Sequence, residues 1–405
     1  MKKIVIFGAG NIGRSLTGQL FSKAGYEVIF VDVNEKLVQE LNRQKRYKIE
    51  VKDQHPETIL VEKVRAVNIK DSKKVINETA SADIVSTSVG VNNLQGIYPY
   101  LAEGLKKKAK QGKGPIDIII CENVRNSPLL FSEGLSKYLP KKFPLDSMVG
   151  LVETSIGKMV PIMSEEERRK DPLLVYAEAY NTLILDTKAF KCGVPKVEGV
   201  EPKENITAYV DRKLFIHNMG HAATAYLGYV TDPNMKYVWE AIGNKQVREC
   251  VEGAMWESGK ALILEYAAEF TVENMKEHIK NLIERFNNRS LGDTIYRVGR
   301  DLHRKLSRND RLIGALLLDE KHKVPAPYTI MIVAAAMLFR GKDETGKLDP
   351  RDKEFIEKVY PLGIDHILRE TCGLDEKKEA ALISRIKQAH SKIAKDPKNW
   401  YNEIP

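Results

Sequence analysis

Four polar residues stand inside the apolar, small-residue run DRKLFIHNMGHAATAYLGY at 211–229: Lys213, His217, Asn218 and His221. If residues 213–226 form an α-helix, about 100° per residue gathers the four within a sector of roughly 140°. Phe215, Met219, Ala222 and Tyr226 fall on the other side. A solvated helix face would carry Glu, Lys and Arg, whereas Asn and His are mediocre helix formers and fit a cleft better. A lysine becomes a base once desolvation and neighbouring positive charge bring its pKa from about 10.4 toward neutrality. Asn218 and His221 can donate to an oxygen passing between alkoxide and carbonyl. The competing use of His217 and His221 is a zinc site. HNMGH lacks the glutamate of HExxH and no third ligand is evident, so no metal is expected.

Such chemistry needs a hydride acceptor, and IVIFGAGNIGRS offers a place for one. Gly8, Gly10 and Gly13 keep the GxGxxG spacing directly after a first strand and at the start of a helix. They serve, in order, the tight turn, the approach of backbone to a pyrophosphate, and close packing of helix on strand. Asn11 and Ile12 lie in the same turn and are expected to touch the cofactor with it. Asp32 closes the second strand, where a carboxylate accepts from ribose hydroxyls and repels a 2′-phosphate, so NAD is expected. SVGVNN (88–93) and CENVRN (121–126) follow later strands at the carboxyl edge of the sheet, making Val89 and Asn123 candidate walls for the nicotinamide. Arg14 is expected either to touch the pyrophosphate or to be solvated.

The elements that must position these residues are legible as two patterns. KKIVIF, EVIFVD, VRAVNI, DIVSTSV and IDIIIC read as strands buried on both faces, with helical spacing between them: a Rossmann-type, doubly wound parallel sheet. MVGLV at 148–152 is expected to end the sheet, and 175–186 to add strands. The Gly, Pro and charge of 191–205 mark a boundary, giving domains 1–200 and 201–405. Beyond it a 3.6-residue period runs through 208–230, 235–269, 272–286, 310–320, 326–339 and 374–394, so the second domain should be mostly α-helical.

Composition narrows the function classes. With 43% hydrophobic and 29% charged residues the chain of 405 is ordinary globular protein. No window nears 18 uninterrupted apolar residues, and MKKIVIFGAG runs straight into the glycine turn, so no membrane association and a cytoplasmic location are expected. Four dispersed cysteines fit free thiols. The net charge of +9 suits an anionic small substrate as well as nucleic acid. The lysines of LKKKAKQGKGP (105–115) read as a solvated helix end, with no aromatic residues to stack bases, and no helix-turn-helix is apparent. A small-molecule partner, no nucleic acid, and a monomer or weak homodimer are expected.

The motifs also carry a resemblance. Lys213, Asn218 and His221 match the K-x4-N-x2-H signature of the polyol-specific long-chain dehydrogenases. IVIFGAGNIGRS, FVDVN, TSVGVNNL, CENVRN, RKLFIHNMGHA and RVGRDLHRKLSRNDRLIGALL together resemble the mannitol-1-phosphate 5-dehydrogenase branch. The resemblance implies metal-independent interconversion of a hexitol phosphate and a ketose phosphate with NAD, Lys213 as general base, and Asn218 and His221 on the substrate oxygen. ETSIGK (153–158) departs from the family's Asp-Ser-x-x-Asp-Arg: it keeps an acid at Glu153, a candidate substrate contact, but has Gly157 and Lys158 in place of the pair. Arg289 stands where the family commonly has proline. Arg297, Arg300 and Arg304 recur at helical spacing with Lys305 beside them. They read as a phosphate clamp, with Arg300, Arg304 and Lys305 as substrate ligands, or as ion pairs with Asp293, Asp301 and Asp310. Other readings stay open: a dehydrogenase of an unphosphorylated polyol or a hexonate, a β-hydroxyacid dehydrogenase (usually K-x3-N), or an NAD-binding regulator without turnover.

Overall fold

Strands form where β-branched residues run together, and in the first unit both sheet faces are covered. In the computed structural model, which describes residues 1–53, 55–161 and 163–403, the chain divides into two compact units, Met1–Val210 and Asp211–Pro405. The strands of the first are β1 (Lys3–Phe7), β2 (Glu27–Asp32), β3 (Arg46–Val51), β4 (Glu57–Glu62), β5 (Val64–Asn68), β6 (Ile84–Thr87), β7 (Ile116–Ile120), β8 (Val149–Ile156), β9 (Val175–Ala177), β10 (Leu183–Asp186) and β11 (Val200–Lys203). Eight make one sheet in the order β11-β10-β8-β7-β6-β1-β2-β5, parallel from β5 through β8. Alternate residues of one strand enter opposite cores: Ile4, Ile6 and Phe30 one layer, Val5, Phe7 and Ile29 the other. Because β1 lies between β2 and β6, the chain changes direction across the sheet there, and the carboxyl ends of β1 and β6 open a crevice.

Three features differ from expectation. The sheet does not end at 148–152: β8 pairs antiparallel with β10, and β10 parallel with β11, so part of the Gly- and Pro-rich boundary is itself an edge strand. The stretch 175–186 splits, β9 joining β3 and β4 in a separate three-stranded sheet. The β3–β4 hairpin was not foreseen, although Tyr47, Ile49 and Val51 alternate with charged residues as a one-sided strand requires.

The second unit is helical. The segment expected to be one helix over 208–230 is continuous, but it widens to a π-helical turn at Lys213–Asn218 before the α-helix Met219–Thr231. Small residues let that helix sit close to Lys245–Glu265: a methyl on Gly220 would lie 2.6 Å from Met255 Sδ. Asn244 and Thr271 cap the helices Lys245–Glu265 and Val272–Phe286 by accepting backbone N–H groups. The arginine stripe does not share one helix. Ile295–Gly299 ends, Arg300 is extended, Asp301 is left-handed (φ 76°), and Leu302–Lys305 begins anew. The buried Asp352 carboxylate forces the break by accepting from the N–H groups of Asp301 and Leu302 at 2.8–3.1 Å. Among the described residues no helix is long and apolar enough to cross a membrane, and the four cysteines are free.

Candidate active site

The three glycines are distinguishable by what a side chain would meet. Gly8 has φ 97°, and a methyl there would lie 2.6 Å from Ser88 O; one on Gly13 would lie 2.1 Å from Gly8 O. These two are demanded by turn and packing. Gly10 is exposed and a methyl on it would touch nothing within 4 Å, so the fold leaves open room for a ligand to lie against its backbone. The residues thus fit a dinucleotide pyrophosphate. Asn11 is exposed and Ile12 half-buried at the same lip. Asp32 braces the turn: Oδ2 accepts from Ala9 N at 2.7 Å and Oδ1 from Asn34 N at 2.8 Å. Of the two states expected for Arg14, solvation is not the one found. The side chain is buried, donating to the carbonyls of Ala9 (2.7 Å) and Leu173 (2.6 Å), and burial brings it down to about 10.

Across the crevice, the N–H groups of Val89 and Gly90 both donate to the Glu122 carboxylate, at 2.9 and 2.8 Å. Glu122 is buried, which pushes its pKa up against the pull of those hydrogen bonds. It lies inside CENVRN next to the exposed Asn123, the residue expected to face the nicotinamide. Glu153 lies within β8 with its carboxylate buried, accepting from Ser127 N at 3.1 Å and so capping the helix Ser127–Ser136. Burial raises its pKa. Lys158 is buried too, donating to Tyr180 O (3.0 Å) and Asn181 Oδ1 (2.9 Å), a structural use for the residue that departs from the family pattern.

In the helical unit, the π turn explains the spacing of the lysine and the asparagine. Its i→i+5 hydrogen-bond pattern stacks Asn218 near Lys213, two positions an α-helix would splay apart. Desolvation, with the positive charge of Arg311, lowers Lys213 to about 8. Arg311 is itself buried, paired with Asp310 (2.7 Å), and its Nη1 reaches Asn218 O at 3.5 Å. One guanidinium therefore both steadies the turn and discourages protonation of the amine. His217 is buried and held well below its ordinary pKa by desolvation, then by Arg285, His221 and Lys213, which keeps the ring neutral. His217 and His221 lie 6.3 Å apart between ring centres, and among the described residues no group of three or more His, Cys, Asp or Glu is arranged to hold a metal.

His221 has partners that spacing from Lys213 could not reveal. Its ring stacks on Phe286 (5.0 Å, 10° between planes), and Nε2 sits 2.9 Å from Asp293 Oδ2, within ion-pairing distance but off the axis of a good hydrogen bond. Asp293 is buried, which opposes its charge, but His221 and Arg297 prevail and hold it at about 2. The cations assigned to a phosphate clamp have diverged. Lys305 points inward and donates to Val298 O, Arg304 binds Asp301 (2.7 Å) and Asp310 (3.1 Å), and Arg297 binds Asp293 (2.6 Å). Arg300 is the least engaged, 3.8 Å from Asp349 with 41% of its side chain exposed. The ion pairs weighed against the clamp are present at all three aspartates.

Known proteins share this combination of units. The chain overlays a Pseudomonas fluorescens mannitol 2-dehydrogenase, solved as a ternary complex with NAD and D-mannitol, with a TM-score of 0.77 at 16% identity, covering 100% of this chain and 94% of that one. A substrate-free D-sorbitol dehydrogenase gives a TM-score of 0.76, again at 16% identity, over 99% and 94%. At that identity the likeness is one of fold. Residues 2–199 match the model of the mannitol dehydrogenase Rossmann domain and residues 205–403 that of the mannitol dehydrogenase C-terminal domain. With both models matched in order over nearly its whole length, the chain belongs to the mannitol dehydrogenase family.

Proposed function

We propose that this member of the family is an NAD-dependent polyol dehydrogenase in which Lys213 is the general base. The observation that carries the reading is the lowered Lys213 amine on a turn that also presents Asn218, with His221 in the helix that continues it. NAD supplies the hydride acceptor when bound. Lys213 takes the proton of the substrate hydroxyl as the neighbouring carbon gives up hydride; Asn218 and His221 donate to the oxygen as it gains carbonyl character. Gly8, Gly10, Asn11, Ile12, Gly13 and Asp32 hold the dinucleotide, with Val89 and Asn123 toward its nicotinamide. In the reverse direction the protonated lysine returns its proton to the alkoxide.

For the substrate, the narrower reading is a hexitol phosphate, oxidised to a ketose phosphate, and in it Arg300 meets the phosphate, since Arg304 and Lys305 are drawn to internal partners. That same engagement favours the second reading, an unphosphorylated polyol or hexonate. Initial rates of NADH oxidation with fructose 6-phosphate, fructose, fructuronate and tagaturonate decide between them. Preference for fructose 6-phosphate, lost in Arg300→Ala, supports the phosphate reading; preference for an unphosphorylated ketose removes it and leaves the dehydrogenase. Absence of turnover with all four, at every pH, would count against the enzyme itself.

A further inference from the structure

A histidine that must aim a nitrogen at a substrate oxygen has a problem of its own. Its χ2 is a broad, roughly two-fold torsion, so the direction of the ring has to be imposed from outside. In this chain two neighbours impose it. Phe286 fixes the ring plane by stacking at 5.0 Å, and the Asp293 carboxylate stands 2.9 Å from Nε2. Asp293 is in turn held at both ends. Arg297 Nε binds its other oxygen at 2.6 Å, and its carbonyl accepts from Val238 N at 2.9 Å. Thr294 pairs with Tyr237 in a β-bridge and caps the helix that carries Arg297. A carboxylate this buried would be costly alone, and it is tolerable because Arg297 and His221 share it.

We propose that Asp293 is a positioning residue for the reaction: with Arg297 it confines the rotation of the His221 ring, on whose direction the contact with the substrate oxygen depends. The inference rests on the reading of Lys213, Asn218 and His221 as the acid–base site, and adds to it a partner 72 positions away in sequence from His221. A partner of this kind acts on the chemical step, because a ring free to turn spends part of its time facing away from the oxygen. Its loss leaves dinucleotide binding alone, since every residue assigned to the cofactor lies before residue 124.

The test compares Asp293→Ala, Asp293→Asn, Arg297→Gln and Lys213→Ala in the full chain. It uses NADH with fructose 6-phosphate or fructose, whichever turns over faster, and reads kcat, KM, the NADH dissociation constant and the melting temperature. Asp293→Ala should lower kcat on the order of 10–100-fold with NADH affinity unchanged. Asp293→Asn, which keeps an oxygen facing Nε2, should recover most of the loss, and Arg297→Gln should fall between. If Asp293→Ala merely melts earlier while its folded fraction turns over normally, or if Asn is no better than Ala, the positioning role is overturned. Should Asp293→Ala fail to fold, Arg297→Gln decides: an unchanged kcat overturns the proposal. Lys213→Ala separates the two layers, since normal turnover in that variant sinks the acid–base reading itself, whatever the Asp293 variants do.

Discussion

The glycine turn of the first unit and the lysine turn of the second are both followed or formed by π-helical backbone, Gly13–Gly18 and Lys213–Asn218, yet they work in opposite ways. All six residues of the first are buried, and its chemistry is that of main-chain atoms and empty space over Gly10. In the second, Phe215, Ile216 and His217 are buried while Lys213 and Asn218 are partly buried, and its chemistry belongs to side chains tuned by neighbours. A backbone site is specified by where side chains are forbidden. A side-chain site is specified by charges brought from elsewhere in the fold.

The largest effect that can break this comparison is at Lys213. Lys213→Met should lower kcat by about 10²–10⁴-fold and leave NADH affinity and melting temperature close to wild type, because the methionine keeps the apolar stem. Persistent turnover would mean the second site does not depend on that side chain.

A second test contrasts two buried aspartates of the same unit. Asp293, with His221 and Arg297 beside it, is held at about 2, whereas Asp319, fully buried with neither carboxyl oxygen hydrogen-bonded among the described residues, is pushed by burial to about 8. The unfolded chain ionises Asp319 near 3.8 and the folded chain near 8, so its unfolding releases a proton between those values and stability falls as pH rises from about 4 to about 8. Urea unfolding at pH 5 and pH 8 should show a decline of a few kcal/mol, absent in Asp319→Asn. Parallel curves for the two proteins would mean that burial does not govern this carboxyl.

Within the glycine turn the contrast sharpens further. Gly13→Ala should destabilise the protein by about 1–3 kcal/mol, since its methyl would press on Gly8 O. Gly10→Ala should leave stability unchanged and weaken NADH binding about tenfold, or ~1.4 kcal/mol. If the two variants behave alike, no division exists between a packing glycine and a ligand-facing one.

How much of this was legible follows the same division. The turn could be read because Gly8, Gly10, Gly13 and Asp32 fall at fixed distances along one strand-turn-helix-strand unit, and local backbone geometry is a local property of sequence. Lys213, Asn218 and His221 could be read as residue types out of place on a wet helix, and the sheet and helical bundle as periodicities. What stayed hidden is non-local or breaks a period. Glu122 reaches back to Val89 and Gly90, and Asp293 to His221, across distances no spacing rule covers. The π turn was invisible because its apolar positions still suit an α-helix. The arginine stripe looked helical because nothing in RVGRDLHRK announces that Asp352, some fifty residues later, will cap Asp301 and Leu302.

The most direct measurement is the pH dependence of kcat for polyol oxidation at saturating NAD, beside that of ketose reduction at saturating NADH. A neutral lysine base at about 8 makes oxidation rise tenfold per pH unit from acid and level off above about 8, while reduction, which needs the protonated amine, declines above the same point. Profiles that are flat in both directions between about pH 6 and about pH 10 would contradict the assignment of Lys213 as the base.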